Sequence, residues 1–124
     1  MKIDRKKVYD KCNGHCGYCG SEIKYKDMQI DHIFPKRLDG MFDYGGIMYD
    51  GDIDSFDNLM PSCRTCNHYK RAYLLENFRK LMKTLHERLL KIYIFRIALK
   101  YGIVEIKNFD GEFYFEKLTK NNKQ

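Results

Sequence analysis

The stretch CNGHCGYCG, residues 12–20, contains three cysteines, of which Cys16 and Cys19 are separated by two residues, and CRTC at residues 63–66 repeats that spacing. In such a pair a tight turn brings both sulfur atoms to one ion, and four thiolates form the tetrahedral set that a structural zinc ion prefers. We therefore predict a four-cysteine zinc site, with a redox pair, an iron–sulfur cluster or a set of disulfides as alternatives. The expected ligands are Cys16, Cys19, Cys63 and Cys66.

Two further residues near the first pair, Cys12 and His15, are alternative ligands of the same metal. We favour the simpler interpretation, in which Cys12 is a small buried side chain and His15 is a loop residue. A zinc ion held by four thiolates has no open coordination position. This metal is therefore expected to stabilise the fold, and the chemistry of the protein is expected elsewhere in the chain.

Length and composition favour one folded protein domain. The 124 residues are 44% hydrophobic and 32% charged, which predicts a single domain over residues 1–124. The start of the chain, MKIDRKKVYDK, lacks the apolar core of a secretion signal, and no segment approaches the roughly 18 apolar residues of a membrane helix. We expect a cytoplasmic protein without membrane contact, in which the cysteines stay reduced.

Charge is unevenly distributed along the chain. The net charge of +6 and the pI of about 9.0 favour an anionic partner such as nucleic acid. Residues 70–100 hold nine Lys or Arg and two Glu, whereas residues 39–57 hold six Asp and no basic residue. The acidic loop 39–57 is most simply a solvated loop; the alternatives are a gate, a divalent-ion site and a contact with a protein partner.

The pattern of apolar residues predicts an α+β protein. A short helix over residues 1–11 precedes a strand within residues 24–34 that is bounded by a proline. Residues 72–101 lack Gly and Pro and carry apolar residues three and four apart, which predicts a long amphipathic helical segment with Gly102 as its C-cap. An Asp-Gly turn between two apolar runs predicts a terminal β-hairpin at about 103–118.

Between the cysteine pairs, MQIDHIFPK at residues 28–36 places Asp31 beside His32 near the end of the predicted strand, and DNLMPSCRTCNHYK follows at residues 57–70. Together with CGYCG, these pieces stand in the order and spacing of the HNH endonucleases, and about residues 12–80 resemble that family. The resemblance implies a ββα-metal fold, in which a strand ending in a catalytic His, a loop, a second strand and a helix surround one divalent ion. The zinc site would hold the ends of this fold together.

The resemblance also implies roles for individual residues. His32 resembles the general base and Asp31 a ligand of the catalytic metal. Asn58 resembles the central Asn of the motif, whose amide would bridge loop backbone groups and keep His32 oriented; an Asx turn or a helix cap is the alternative. Because side chains alternate along a strand, Asp31 and His32 can share one site only where the strand ends or bends.

At the third position of the motif, many members of the family carry a His, whereas this chain has Asn67 followed by His68. The site would then be an H-N-N variant with Asn67 as the second metal ligand, because Asn67 directly follows the second cysteine pair as the motif requires. Oxygen ligands suit Mg²⁺ or Mn²⁺, whereas a His ligand would widen the choice toward nickel or zinc. His68 stays the alternative ligand.

Basic residues flank the motif and are candidates for phosphate contacts, with solvated surface charge as an equal alternative. They are Lys36, Arg37, Lys70 and Arg71. The helical segment 72–101 offers a further basic face, for which simple exposure to solvent is favoured. Its apolar stripe is close to a heptad repeat. We favour packing of this stripe within one chain; the alternative is a homodimer that cuts both strands of DNA.

These features predict an α+β fold with a ββα-metal HNH core that is closed by a four-cysteine zinc site and extended by a long helical segment and a hairpin. The resemblance implies a metal-dependent endonuclease that hydrolyses phosphodiester bonds of double-stranded DNA, by nicking or double-strand cleavage, with water activated by His32. The products would carry a 5′ phosphate and a 3′ hydroxyl. The competing interpretations are a non-catalytic zinc-knuckle module that binds nucleic acid or protein, and a nuclease component of a larger defence or mobile-element system.

Overall fold

The computed structural model describes residues 3–36, 49 and 51–121. Arg37 and most of the acidic loop up to residue 50 lie outside the described residues, so the predictions made for them stay predictions. The described chain divides into two compact units. The first comprises the described residues of Met1–Leu75 and Phe113–Gln124, and the second is Glu76–Glu112.

Helices dominate the described chain, with one small sheet. The strands are β1, Gln29–His32, and β2, Leu59–Ser62, and two short 3-10 helices precede them at Tyr25–Asp27 and Phe56–Asn58. The α-helices are α1, Arg5–Lys11; α2, Arg64–Lys70; α3, Leu75–Lys83; α4, Leu85–Leu89; α5, Tyr93–Lys100; and α6, Tyr114–Asn121. Within the described residues, none of these helices has the length and hydropathy needed to cross a membrane.

The predicted ββα arrangement is present in the first unit. β1 and β2 pair antiparallel, with Asp31 opposite Met60 and His32 opposite Leu59. All four residues of β2 are buried, and α2 begins immediately after the strand with Cys63 as its N-cap. The fold is therefore α+β, with the strand that ends in His32 lying beside the strand that leads into the helix.

A small apolar core supports this sheet. Val8, Met28 and Leu59 are each at most 3% exposed and pack together. The helix α1 contributes Val8 to this core. Asp4 caps the helix, with its carboxylate accepting a hydrogen bond of 3.2 Å from the Lys7 N–H group. The predicted N-terminal helix is confirmed over Arg5–Lys11.

The predicted long helical segment at 72–101 is three shorter helices. The first break is at Thr84, whose hydroxyl donates to the carbonyls of Lys80 and Leu81, at 3.2 and 3.3 Å. The Arg88 guanidinium donates to the Leu81 carbonyl as well, at 2.5 Å. Side chains that bond to these carbonyls compete with the regular backbone ladder, which explains an interruption where the sequence has no Gly or Pro.

The helix end predicted at Gly102 is confirmed, with Tyr101 as the C-cap and Gly102 as the next residue. Gly102 has φ 72°, and its N–H group donates to the carbonyl of Leu99. The next N–H group, that of Ile103, donates to the carbonyl of Ala98 at 2.9 Å. This pair of hydrogen bonds is the Schellman motif, which needs a residue that tolerates positive φ.

The predicted terminal β-hairpin at 103–118 does not form. The Asp-Gly turn is present: Gly111 has φ 93°, and the Glu112 N–H group donates to the Asp110 carboxylate at 3.0 Å. The turn leads into the helix α6, Tyr114–Asn121, instead of a second strand.

The N-terminal contacts of α6 explain why this segment is helical. The Glu116 carboxylate accepts a hydrogen bond of 2.8 Å from the Phe113 N–H group, as in a capping box. The N–H groups of Tyr114 and Phe115 donate to the carbonyls of Tyr18 and Gly17, at 3.1 and 2.8 Å. The first cysteine turn thus satisfies backbone donors that the start of a helix leaves open.

Candidate active site

The four predicted zinc ligands come together in the first unit. The sulfur atoms of Cys16, Cys19, Cys63 and Cys66 all lie within 4.8 Å of one another, and the sulfurs of Cys19 and Cys63 are 3.8 Å apart. Tetrahedral coordination with zinc–sulfur bonds of about 2.3 Å places neighbouring sulfurs about 3.8 Å apart. The cluster therefore has the ligand chemistry and the spacing that fit one zinc ion.

Local structure explains how each pair is formed. Cys63 is the N-cap of α2, and its sulfur accepts a hydrogen bond of 3.4 Å from the Cys66 N–H group, so both thiols lie on the first turn of that helix. The first pair lies on a turn held against β2, where the Gly17 N–H group donates to the Pro61 carbonyl at 2.8 Å. A Cβ atom on Gly17 would overlap the sulfur of Met60. Glycine therefore permits the close approach of the turn to the strand.

Crowding of the thiols shifts their proton affinities in opposite directions. The Cys66 thiol and several backbone N–H groups donate to the Cys16 sulfur and lower its pKa to about 4. The same contact raises the pKa of Cys66, since loss of its proton would place a second thiolate beside the first. A cation bound to all four sulfurs would remove this repulsion, as metal binding commonly does by displacing thiol protons.

Cys12 and His15 lie outside the cluster. Cys12 is 1% exposed, its sulfur lies 3.8 Å from that of Met60, and burial raises its pKa to about 11. The His15 ring contacts the Asn13 carbonyl at 3.0 Å and stacks on Tyr114. Both observations agree with the simpler interpretation, in which neither residue is a metal ligand.

A second site lies at the end of β1, where a cleft of about 360 Å³ opens. Its lining brings together five of the side chains that the sequence analysis singled out. These are Asp31, His32, Lys36, Asn67 and Arg71. The lining residues come from β1, from the loop that follows it and from α2. The cleft therefore forms only when the ββα arrangement brings these separate segments together.

Asp31 is anchored by two donors. Its side chain is 6% exposed, and the oxygen Oδ2 accepts hydrogen bonds from the Tyr18 hydroxyl at 2.5 Å and from the Lys70 ammonium at 3.0 Å. Burial raises the pKa of the Asp31 carboxyl, and Lys70 and Tyr18 oppose that rise. Both donors contact Oδ2, so Oδ1 is the oxygen through which Asp31 would bind a cation.

Lys70 is not placed to contact a phosphate. Its side chain is fully buried, and besides Asp31 its ammonium group bonds the carbonyls of His32 and Ile33, at 3.1 and 3.4 Å. Burial removes this ammonium from any nucleic acid outside the protein, which corrects the expectation from its charge. The sequence gives no signal for the Tyr18 contact, because Tyr18 and Asp31 lie 13 residues apart and no local motif connects them.

Asn67 and His68 differ in their access to the cleft. Asn67 lines the cleft, and its amide nitrogen donates to the Gln29 side-chain oxygen at 2.6 Å. The amide oxygen of Asn67 is then the atom that can bind a cation. His68 is exposed and does not line the cleft.

Asn58 is buried and bridges two segments that flank the cleft. Its amide oxygen accepts from the Phe34 N–H group at 2.7 Å, and its amide nitrogen donates to the carbonyls of Phe34 and Ile53, at 3.1 and 2.9 Å. The side chain is 2% exposed. Asn58 thus connects the loop after His32 to the segment before β2, and both the oxygen and the nitrogen of its amide take part in the hydrogen bonds.

His32 has a partner that the sequence analysis did not identify. The ring atom Nε2 of His32 lies 2.7 Å from Oδ1 of Asp54, and both side chains are about one-fifth exposed, at 18% and 22%. The hydrogen bond from His32 holds the pKa of Asp54 below its usual value. In the sequence, Asp54 is one of six aspartates in the acidic loop, and no local motif marks it.

Two basic residues border the cleft, Lys36 and Arg71. Lys36 is 65% exposed, and its ammonium lies 3.8 Å from Oδ2 of Asp54. Arg71 follows α2 with φ 51° and ψ −128°, a backbone conformation that costs a non-glycine residue about 1–3 kcal/mol. The predicted phosphate contact at Arg37 lies outside the described residues.

Comparison with known protein families and structures gives one match. The model of the family described as HNH endonuclease matches residues 16–72. No curated protein and no solved structure matches the chain. The matched segment contains both cysteine pairs, both strands, α2 and all residues that line the cleft.

Proposed function

We propose that the protein is a metal-dependent endonuclease that hydrolyses phosphodiester bonds of DNA, on the premise that residues 16–72, which match the model of the HNH endonuclease family, form a domain of that family. The observation that carries the proposal is the cleft at the end of β1, which collects Asp31, His32 and Asn67. A carboxylate, an imidazole and an amide oxygen in one cleft can together bind a divalent cation and move a proton. The +6 charge of the chain favours a polyanionic substrate.

His32 is the proposed general base. A neutral imidazole near pH 7 can accept a proton from water. The resulting hydroxide attacks phosphorus while the bond from phosphorus to the 3′ oxygen breaks, and the 3′ oxygen then takes a proton from solvent. This sequence leaves a 5′ phosphate and a 3′ hydroxyl and returns His32 to its neutral form when the ring loses its proton.

Asp31 and Asn67 are the proposed ligands of a catalytic Mg²⁺ or Mn²⁺ ion. When bound, such an ion stabilises the negative charge on the phosphorane and on the leaving oxygen. Lys70 already compensates the charge of Asp31, so the protein alone offers little net negative charge to a cation. Magnesium usually completes its coordination with water and substrate phosphate, and we therefore expect the metal to bind more tightly together with DNA.

The cysteine cluster is proposed to hold a structural zinc ion. Cys19 and Cys63, whose sulfurs are 3.8 Å apart, lie 44 residues apart in sequence. An ion at this position would connect the turn that carries Tyr18 to the start of α2, which carries Asn67 and Lys70. The proposed zinc thereby fixes the two sides of the cleft without taking part in the reaction.

Lys36 and Arg71 are the proposed phosphate contacts, together with Arg37. Lys36 and Arg71 border the cleft, where a cation can neutralise the backbone of a bound strand. The strained backbone of Arg71 supports a role beyond surface charge, because strain of this kind tends to persist where function requires it.

A second candidate function is a non-catalytic zinc-knuckle module that binds nucleic acid. The observation that favours it is the Asp31 carboxylate, which is buried and bonded to Tyr18 and Lys70. If those bonds exclude a metal, the same fold could bind DNA and leave it intact.

Cleavage of supercoiled plasmid with Mg²⁺ or Mn²⁺ separates the two candidates. We expect the wild type to nick or linearise the plasmid, and His32→Ala at the same zinc content and melting temperature to lose that activity by a factor of roughly 100 or more. Asn67→Ala is expected to lose far more activity than the matched control His68→Ala. A wild-type protein that binds DNA and cuts with neither metal would support the binding module instead.

A further inference from the structure

Asp54 makes a close contact with the proposed general base. Its oxygen Oδ1 lies 2.7 Å from Nε2 of His32, within hydrogen-bond distance. The two residues are 22 positions apart in sequence, so the contact is a product of the tertiary fold. A contact this short between partly buried side chains restricts the rotation of the imidazole ring.

The segment that carries Asp54 is itself held in place. The Asp54 N–H group donates to the Asp52 carboxylate at 2.9 Å, which forms an Asx turn. The preceding carbonyl, that of Ile53, accepts the hydrogen bond from the Asn58 amide. The same Asn58 amide also bonds the backbone of Phe34, two residues after His32. Asn58 therefore holds the segment that carries His32 at a fixed distance from the segment that carries Asp54.

Asp54 contacts the imidazole ring of His32 but does not itself line the cleft. His32 is among the residues that line the cleft, and Asp54 is not. Its carboxylate contacts Nε2 of His32 and lies 3.8 Å from the ammonium of Lys36. Asp54 therefore contacts the proposed base and is not among the residues that line the cleft.

We propose that Asp54 is a positioning residue that holds His32 with its Nδ1 atom as the proton acceptor of the nuclease reaction. A carboxylate can only accept a hydrogen bond, so the facing atom Nε2 carries the hydrogen. In a neutral imidazole, the second nitrogen then bears the lone pair. This inference rests on the function proposed above, and it adds the orientation of the base and the residue that sets it.

The proton balance of the step follows from this geometry. Nδ1 takes one proton from the attacking water, the hydroxide forms its bond to phosphorus, and Nε2 keeps its hydrogen bond to Asp54 throughout. The carboxylate stays unprotonated and faces the imidazolium that forms, which lowers the energy of that charge. Asp54 contributes orientation and electrostatic stabilisation, and no bond to it forms or breaks.

Two variants of Asp54, one of them conservative, and a matched control test the role in cleavage. Asp54→Asn keeps an acceptor oxygen and removes the charge, Asp54→Ala removes both, and Asp57→Asn removes a charge from the same segment without contacting His32. We expect kcat to fall roughly 10- to 100-fold for Asp54→Ala and less for Asp54→Asn, with KM for a labelled duplex unchanged. Asp57→Asn should match the wild type.

Nuclear magnetic resonance tests the contact without any cleavage. In ¹⁵N-labelled protein at a pH where imidazoles are neutral, a hydrogen bond to a carboxylate should protect the Nε2 proton of His32 from exchange and shift its signal downfield. The chain has four His, and His32→Gln identifies the signal. We expect the signal to move upfield in Asp54→Asn and to disappear in Asp54→Ala.

The two measurements separate the possible failures. If the wild type does not cut but the protected proton depends on Asp54, the nuclease function fails and the hydrogen bond stands. If the wild type cuts and Asp54→Ala keeps both its kcat and the His32 signal, the positioning role is overturned. Equal small losses in Asp54→Asn and Asp57→Asn would also overturn it, because they would reduce Asp54 to a distant surface charge.

Discussion

At the residue scale, the ammonium group of Lys70 lies inside the first unit, where it bonds the Asp31 carboxylate and the carbonyls of His32 and Ile33. A charged side chain is rarely fully buried unless it is paired in this way. Lys70 therefore joins α2 to the end of β1, and it supports the strand end that presents His32 to the cleft. Its basic character alone suggests a surface phosphate contact, which the burial contradicts.

Removing this ammonium should destabilise the protein strongly. Lys70→Met keeps most of the buried volume but leaves Asp31 without its ion partner, and breaking a buried pair typically costs about 3–5 kcal/mol. Chemical denaturation at pH 7 would measure the free energy of unfolding. Asp31→Asn in the Lys70→Met background should recover a large part of the loss, because it removes the unpaired charge.

The loss should depend on pH in a defined direction. Burial raises the pKa of the Asp31 carboxyl even with Lys70 present, and removing Lys70 raises it further. A carboxyl with a raised pKa in the folded state holds its proton longer than in the unfolded state, so stability falls as pH rises through that window. Lys70→Met should thus lose less stability at acidic pH than at pH 7, and an equal loss at both values would contradict the ion-pair explanation.

At the element scale, the start of α6 and the residue before it, Phe113, pack on the first cysteine turn. Phe113 is 2% exposed, and its ring meets the ring of Tyr18 edge to face, with centroids 5.5 Å apart. The same tyrosine donates its hydroxyl to Asp31. The segment after residue 112 thus supports the residue that anchors a candidate metal ligand, although it lies outside the part matched by the family model.

Truncating the phenylalanine tests this support. Phe113→Ala should lower the free energy of unfolding by about 3–5 kcal/mol, because it empties a buried aromatic site. Phe56→Ala is the matched control, since Phe56 is 46% exposed, and it should cost less than half as much. Thermal denaturation of the two variants compares them directly, and similar losses would argue against packing of α6 on the turn.

At the scale of the whole molecule, the cysteine cluster connects parts of the first unit that are far apart in sequence. The two pairs flank β1 and β2, and the cluster thereby closes the segment that carries the cleft. Small cores often need such a connection, because limited apolar burial leaves little stability in reserve. We therefore expect folding of the first unit to depend on the bound metal.

Two serine variants separate metal binding from packing. Cys19 is exposed, so Cys19→Ser removes a ligand at little packing cost and should abolish stoichiometric zinc binding and unfold the first unit. Cys12→Ser changes a cysteine outside the cluster and should retain one zinc ion. Metal analysis with circular dichroism before and after a chelator gives the readout. A chelated wild type that keeps its fold would contradict a structural role for the metal.

Several features could be predicted because their signals are local. The cysteine spacing indicated the metal cluster, the alternation before Pro35 indicated a strand near His32, and Gly102 indicated a helix end. Each depends on geometry within a few residues, such as a turn or a positive φ. The hairpin failed as a prediction because an Asp-Gly turn can lead into either a strand or a helix, and backbone acceptors on a distant cysteine turn favoured the helix.

The sequence by itself determined the four-cysteine cluster, since it follows from residue type and spacing, and the resemblance of the sequence to HNH endonucleases supplied the ββα order and the residues of the candidate motif. Only the tertiary structure decided that Lys70 pairs with Asp31 inside the protein, that Tyr18 bonds the same carboxylate and that Asp54 faces His32. The physical reason is that charge and hydrogen-bonding capacity belong to a residue, whereas burial and the choice of partner belong to the packed chain. Contacts between residues 13 to 39 positions apart leave no periodic trace in the sequence.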